Sequence, residues 1–392
     1  MNRSKPSDDS VISSITGFPW SSEESVAYEA AIEAINSAVG AYSARIAAEE
    51  AEPEPDPVVI ADRRNRRDEC ARVRQALDPS DHAEIARVRQ HYASLAHQGG
   101  RPGVTSPDVA RYLLPEAENR RIFAEGIVPE QLSGRTPQAT PTVVVLLGQP
   151  GAGKTRVAHM LVGTLNKRGG FIDVDSDLYK PYHPQYAQLM RQDDKLMAAY
   201  TRADGRRWMD QAHEYVRENG VNAVIQETSQ DGEAVAGTMR AYRQCGFRVE
   251  LLAMGVAEAM SNQGIVHRYH EQVKERGSGR LTVQANADQS YRGMLDLAQL
   301  VDEHALADYV AVLRRGEGRP RYDNALSPEG RWQHPPALAA AIETERTRPW
   351  APAEGGDFLR AQEKLHREMG PDWVEHLSRI DHLASRSMSG CP

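Results

Sequence analysis

Cysteine is scarce in this chain: Cys70, Cys245 and Cys391 are the only three among 392 residues, and no metal-ligand spacing relates them. That excludes a disulfide framework and a cysteine-based zinc site, and makes a reducing, cytoplasmic setting the expectation. No apolar run approaches the ~20 residues a membrane-spanning helix needs, so no membrane partner is expected. The opening Met1-Asn2-Arg3-Ser4-Lys5-Pro6 lacks the apolar stretch of a signal peptide. Positive charge is not in excess either. The formal net charge of −8 argues against nucleic acid as a partner. The thirteen histidines form no ligand cluster, and His267 and His270, three apart on an expected helix, read as solvated or packed rings. No internal repeat is present.

What is there is a loop. Gly148-Gln149-Pro150-Gly151-Ala152-Gly153-Lys154-Thr155 follows the β-branched run Thr142–Leu147 and precedes a segment with helical spacing. Strand, glycine-rich loop and helix together make a nucleoside triphosphate site. Glycines let successive backbone N–H groups converge on one anion, and the helix start adds its positive dipole end. Lys154 is expected on the β- and γ-phosphates of ATP and the Thr155 hydroxyl on Mg²⁺. The loop alone does not name the group that receives the phosphate.

At 392 residues and 40% apolar composition, the chain suggests two or three units with some segments outside the core. Residues 1–22 are polar and read as disordered. Three helices are expected over 23–100: Glu23–Glu50, Val58–Leu77, and one capped by Asp81 with Glu84 three residues on. Residues 101–140 form a linker with one helical piece at Glu116–Phe123. From 141 to 316 short apolar strands alternate with longer helices, which predicts an α/β core with a doubly wound parallel sheet. Its strands are Thr142–Leu147, Gly170–Val174, Ala223–Glu227, Val249–Val256 and Tyr309–Leu313. Residues 317–392 read as a C-terminal helical extension.

In such sheets ligands sit at the carboxyl ends of the strands. The second strand ends in Asp173-Val174-Asp175-Ser176-Asp177, acids that cannot all be buried and together face a cation or a hydroxyl. The third ends in Gln226-Glu227-Thr228-Ser229, where Gln226 or Glu227 would meet substrate hydroxyls or a metal-bound water. The alternative is a helix N-cap run, Thr228–Asp231. Arg268, Arg276 and Arg280 follow the fourth strand, and arginine forks suit the charge that phosphoryl transfer spreads over equatorial oxygens. Gly277-Ser278-Gly279 beside Arg280 is the hinge a closing lid needs.

These residues resemble the zeta toxin family, P-loop kinases that phosphorylate UDP-N-acetylglucosamine on the sugar 3′-hydroxyl. The resemblance covers about 115–325. It rests on Asn119-Arg120-Arg121-Ile122-Phe123, on Ile127-Val128-Pro129, on the Gln149-Pro150 pair in the loop, on Asp175-Ser176-Asp177 with Lys180 and His183-Pro184, on Arg268-Tyr269, and on Arg280-Leu281-Thr282 with Asp288 downstream. It implies a P-loop kinase core with Asp177 as catalytic base, Arg268 and Arg280 on phosphate oxygens beside Lys154, and Asp175, Lys180, Glu227 and Thr228 on the sugar nucleotide. Two departures stand out. The family's Glu-Gly-Thr, with an arginine two residues on, is here Gln226-Glu227-Thr228-Ser229-Gln230, and the loop begins Leu147-Gly148 rather than with a double glycine.

The resemblance further implies a toxin that blocks cell-wall precursor synthesis and is silenced by a small helical antitoxin. The helical unit at 23–100 then reads either as an inhibitory module in cis or as a decoration that docks a partner. Two other functions stay open: a kinase for another hydroxyl, on a dinucleotide cofactor or a polynucleotide end, and a nucleotide-binding switch with no acceptor.

Overall fold

The computed structural model describes residues 10–15, 19–96, 109–192, 194 and 197–388. Six strands form one sheet in the order β2-β3-β1-β4-β5-β6. These are β1 Thr142–Leu147, β2 Ile172–Val174, β3 Ala223–Glu227, β4 Arg248–Gly255, β5 Tyr309–Arg314 and β6 Pro320–Ala325. The first five are parallel, and β6 runs antiparallel to β5. Neither face of β1 meets water. Val143, Val145 and Leu147 enter one core cluster, while Val144 and Leu146 enter another on the opposite face. This is why β1 reads as an unbroken apolar run and why the fold is doubly wound.

The helices are α1 Ser22–Glu50, α2 Pro57–Ala76, α3 His82–Ala96, α4 Glu116–Ile122, α5 Lys154–Lys167, α6 Ser176–Tyr179, α7 Tyr186–Gln192, α8 Met197–Tyr200, α9 Arg202–Asn219, α10 Gly232–Gln244, α11 Glu258–Arg276, α12 Gln284–His304, α13 Leu338–Thr347, α14 Pro352–Glu368 and α15 Val374–Met388. Their starts follow local chemistry. Ser21 and Glu24 close a capping box on α1, Asp56 caps α2 ahead of Pro57, and Asp81 accepts from the Glu84 N–H at 2.8 Å.

Helices α1 to α3 share the sheet's own core. Ala31, Ala34, Ile35, Ala38 and Val39 of α1 are at most 1% exposed and lie in the cluster that holds Val143 and Val145. The alanines allow close approach: at Gly40 an added Cβ would lie 2.4 Å from the Tyr186 ring. Arg67 of α2 forms a buried pair with Glu130 at 2.9 Å, to which Tyr182 also donates. Removing one partner of such a pair costs about 3–5 kcal/mol, so this unit is integral to the fold.

Three boundaries differ from expectation. Residues 10–15 are ordered, not disordered: Val11 and Ile12 are buried, and their N–H groups donate to the buried Glu250 carboxylate at 3.1 and 2.9 Å. A buried carboxylate needs such donors, and Arg248 adds another at 2.6 Å. Residues 1–9 and 16–18, and the Gln98–Gly103 stretch expected to close the helical unit, lie outside the described residues. The sheet continues past 316 into β6, whose polar Pro320-Arg321-Tyr322-Asp323 suits an edge strand and hides its strand character. Within 101–140, α4 runs on as a wider π-helix over Phe123–Leu132 that contains Pro129.

Candidate active site

The carboxyl ends of β1, β2 and β3 open into a cavity of about 900 Å³. Pro150, Gly151, Ala152, Gly153, Lys154 and Thr155 line it at the end of β1, Asp173, Asp175, Asp177 and Lys180 at the end of β2, and Gln226, Glu227 and Thr228 at the end of β3. Arg268 and Arg280 complete it from α11 and the segment that follows. The loop needs its glycines. Gly151 and Gly153 have φ of +76° and +92°, and a Cβ on Gly151 would lie 2.1 Å from the Ser261 carbonyl. Gly148 and Gln149 stand behind the cavity. The Gln149 side chain, expected with the cofactor-binding residues, is buried and turned into the protein, where it donates to the Val256 carbonyl at 2.8 Å.

Lys154 folds over the loop, its Nζ 2.5 Å from the Gly148 carbonyl oxygen. Burial pushes this ammonium down to about 8, against the pull of Asp175, Glu29 and Asp177. Asp175 caps α6 by accepting from the Asp177 N–H at 2.9 Å. Burial, then the charges of Asp177 and Asp173, push its carboxyl up to about 7. Asp177 moves the other way: burial would raise it, but Arg280 and Lys180 outweigh burial and hold it well below the usual carboxylate range. Lys180 pairs with it at 2.9 Å and Arg280 with its other oxygen. Burial also raises Glu227, against Lys154 and the N–H groups of Thr228 and Ser229.

The site holds more than the sequence suggested. Helix α1 lies across it, with Tyr28, Glu29, Ile32, Glu33 and Asn36 on the wall. Glu29 pairs with Arg268 and Glu33 with Arg280, each at 3.0 Å. Arg268 Nε and Arg280 Nε are buried and have no hydrogen-bond partner among the described residues. Arg276 is not in the cavity; it donates to the Ala30 carbonyl at 3.1 Å and grips α1 from beneath. The available signal was that Glu29 and Glu33 stand one turn apart beside the apolar stripe Tyr28, Ile32 and Ile35; in the structure Glu33 is only 6% exposed.

On the β3 side, Gln226 donates to both oxygens of Asp173 at 3.2 Å. Asp231, rather than Thr228 or Ser229, caps α10. Gln230 accepts from Arg202 of α9 at 2.7 Å. Arg206 lies one turn on and also lines the cavity, and no carboxylate reaches ion-pair distance of either arginine among the described residues. Periodicity alone did not mark this pair. His183 is buried and neutral by geometry: its Nδ1 accepts from the Gln185 N–H at 3.1 Å, and its Nε2 donates to the Tyr112 carbonyl at 3.0 Å.

With this geometry in place, comparison with known proteins is decisive. The family model described as "Zeta toxin" matches residues 129–327, just over half of the chain. This chain belongs to the zeta toxin family. It is similar to "Toxin zeta" of Streptococcus pyogenes, 25% identical over 36% of this chain and 48% of the relative. It is also similar to "Toxin PezT" of Streptococcus pneumoniae, 21% identical over 46% of this chain and 72% of that one. The chain thus spans about half the length of the first of these relatives. A solved chain from the PezAT toxin–antitoxin system of S. pneumoniae superposes with a TM-score of 0.54 at 18% identity, over 65% of this chain and 98% of that one, which shows a shared fold. The zeta toxin match starts at 129 and ends at 327, so α1 to α3 and α13 to α15 lie outside it. No helix among the described residues is long and apolar enough to cross a membrane.

Proposed function

We propose that this zeta toxin family member is an ATP-dependent kinase that phosphorylates the 3′-hydroxyl of UDP-N-acetylglucosamine and thereby acts as a toxin against cell-wall precursor synthesis. The observation that carries the reading is the convergence of Lys154, Asp177, Arg268 and Arg280 on one cavity above the phosphate loop. In this reading the acceptor oxygen attacks the γ-phosphorus, the bond from that phosphorus to the bridging oxygen breaks, and ADP leaves. The hydroxyl proton passes to Asp177. Lys154, Arg268 and Arg280 take the charge on the transferring oxygens.

The residues also fit Mg²⁺. The Thr155 hydroxyl lines the cavity, and the crowded Asp175 carboxyl, raised to about 7, is the kind of group a cation relieves. When bound, the ion would neutralise phosphate charge.

The resting site is closed by charge. Arg280 already holds Asp177 and Glu33, and Arg268 holds Glu29. A triphosphate must displace both glutamates, and drawing Arg280 onto phosphate frees Asp177 to meet the acceptor. Helix α1 is therefore the inhibitory element in cis, with a separate helical antitoxin as the other candidate partner. The altered Gln226–Gln230 segment supports a second acceptor within the same chemistry, another hydroxyl-bearing nucleotide, because Gln226 is engaged by Asp173 and Gln230 by Arg202. The test is transfer of label from γ-labelled ATP to a panel of nucleotide acceptors. Label on a sugar nucleotide supports the first reading, label on another nucleotide the second, and ATP hydrolysis with no labelled acceptor overturns both.

A further inference from the structure

Arg346 of α13 lies outside the family match, yet it reaches the back of the phosphate loop. It is 3% exposed. Its Nη1 donates to the Tyr291 carbonyl at 2.7 Å and its Nη2 to Gln149 Oε1 at 3.3 Å, while its guanidinium carbon sits 3.9 Å from the Tyr291 ring centroid. No carboxylate lies within ion-pair distance of it among the described residues, although Glu345 beside it pairs with Arg314 and Arg348. A buried cation without a counter-ion is costly, and an apolar side chain of similar volume would pack there at lower cost. Its donors serve the Tyr291 carbonyl, the Met294 sulfur, 3.0 Å from Nη2, and one side chain of the phosphate loop.

The contact with Gln149 fixes more than one bond. A guanidinium only donates, so the Gln149 carbonyl must face Arg346 and its amino group must face Val256, where it donates at 2.8 Å. Gln149 is thereby held between the end of β4 and α13. Immediately after it come Pro150 and the left-handed Gly151, which line the cavity. The post behind it is rigid. Leu338 and Ile342 of α13 are fully buried in the main core, and Glu345 ties the helix to Arg314 at the end of β5 at 2.8 Å.

We infer that Arg346 is a positioning residue for nucleotide binding: through Gln149 it holds the phosphate loop in its anion-ready shape, which makes the C-terminal extension part of the nucleotide site. This rests on the reading that the loop binds a nucleoside triphosphate. The test is calorimetric titration of the full chain with a non-hydrolysable ATP analogue and Mg²⁺, for wild type, Arg346→Met, Gln149→Met and the double variant, each checked for folding by thermal melting. Each single variant is expected to weaken binding about tenfold, as for loss of a hydrogen bond to a charged group. The double variant should fall within about twofold of the weaker single, because both act on one contact. A merely structural arginine would lower the melting temperature and leave the affinity of the folded protein unchanged, which overturns the inference; so do fully additive losses. Should Arg346→Met fail to fold, Gln149→Met decides alone, and unchanged affinity in it overturns the inference. A wild-type chain that binds no nucleotide overturns the site reading itself, and this inference with it.

Discussion

The Glu33 carboxylate lies 3.0 Å from the Arg280 guanidinium, and the same guanidinium holds Asp177. One arginine thus joins an N-terminal helix to the proposed base. Glu29 repeats the arrangement on Arg268.

Neutralising both glutamates should therefore activate the enzyme. Glu29→Gln with Glu33→Gln keeps side-chain volume and hydrogen-bonding capacity but removes the competition with phosphate. The expected outcome is about a tenfold rise in kcat/KM for ATP, from ~1.4 kcal/mol of lost competition. Steady-state kinetics below saturation check it. No rise, with the variant folded, contradicts an inhibitory α1. Removing residues 1–100 outright is a poorer test, because Ala31, Ile35 and Val39 belong to the sheet's core and their loss exposes it.

Asp177→Asn should lower the transfer rate by about 10²-fold or more, the lower range for loss of a general base. Nucleotide affinity should not fall, since Lys154 and the loop remain and Arg280 loses a competitor for phosphate. Single-turnover transfer alongside nucleotide titration separates the two effects, and transfer at the wild-type rate would remove Asp177 from the mechanism. Lys154→Ala, by contrast, should impair both.

Asp175 gives a pH prediction. Its folded pKa, raised to about 7 by burial and then by Asp177 and Asp173, lies above the unfolded carboxylate value. Across that window the folded state binds more protons than the unfolded one, so this group's contribution to stability falls as pH rises from about 4 to about 7. Asp175→Asn removes the charge and keeps an N-cap for α6. It should raise the melting temperature by about 2 °C or more at pH 8 and change it little at pH 4. A gain at pH 4 that vanishes at pH 8 would contradict this.

Arg202 and Arg206 face the cavity with no carboxylate at ion-pair distance among the described residues, and Arg202 donates to Gln230. If the acceptor is a nucleoside diphosphate sugar, Arg202→Ala with Arg206→Ala should raise the acceptor KM about tenfold or more and leave the ATP KM nearly unchanged. Equal effects on both substrates would count against an acceptor role.

Much of this was legible in the sequence. An unbroken apolar β1, the glycine loop and the alternation of strands and helices each have a local cause, and they sit where expected. The acids at the end of β2 converge with Arg268 and Arg280, though not Arg276, because a parallel sheet gathers strand ends. Long-range pairing was not legible. Nothing local says that Glu29 and Glu33 meet arginines some 240 residues away in sequence, that Arg276 holds the α1 backbone, or that Gln149 faces Arg346 rather than ligand. β6 escaped because an edge strand tolerates polar residues and proline, and the ordered Val11–Ile12 segment because its partner is a buried charge on β4.

The most direct test of the central claim is mass spectrometry of ATP with UDP-N-acetylglucosamine after incubation with the wild-type chain and with the Glu29→Gln, Glu33→Gln variant. The account predicts a sugar nucleotide heavier by one phosphate, formed faster by the variant and absent with Asp177→Asn. An unmodified sugar nucleotide with both active-site forms, under conditions where each binds ATP, would contradict it.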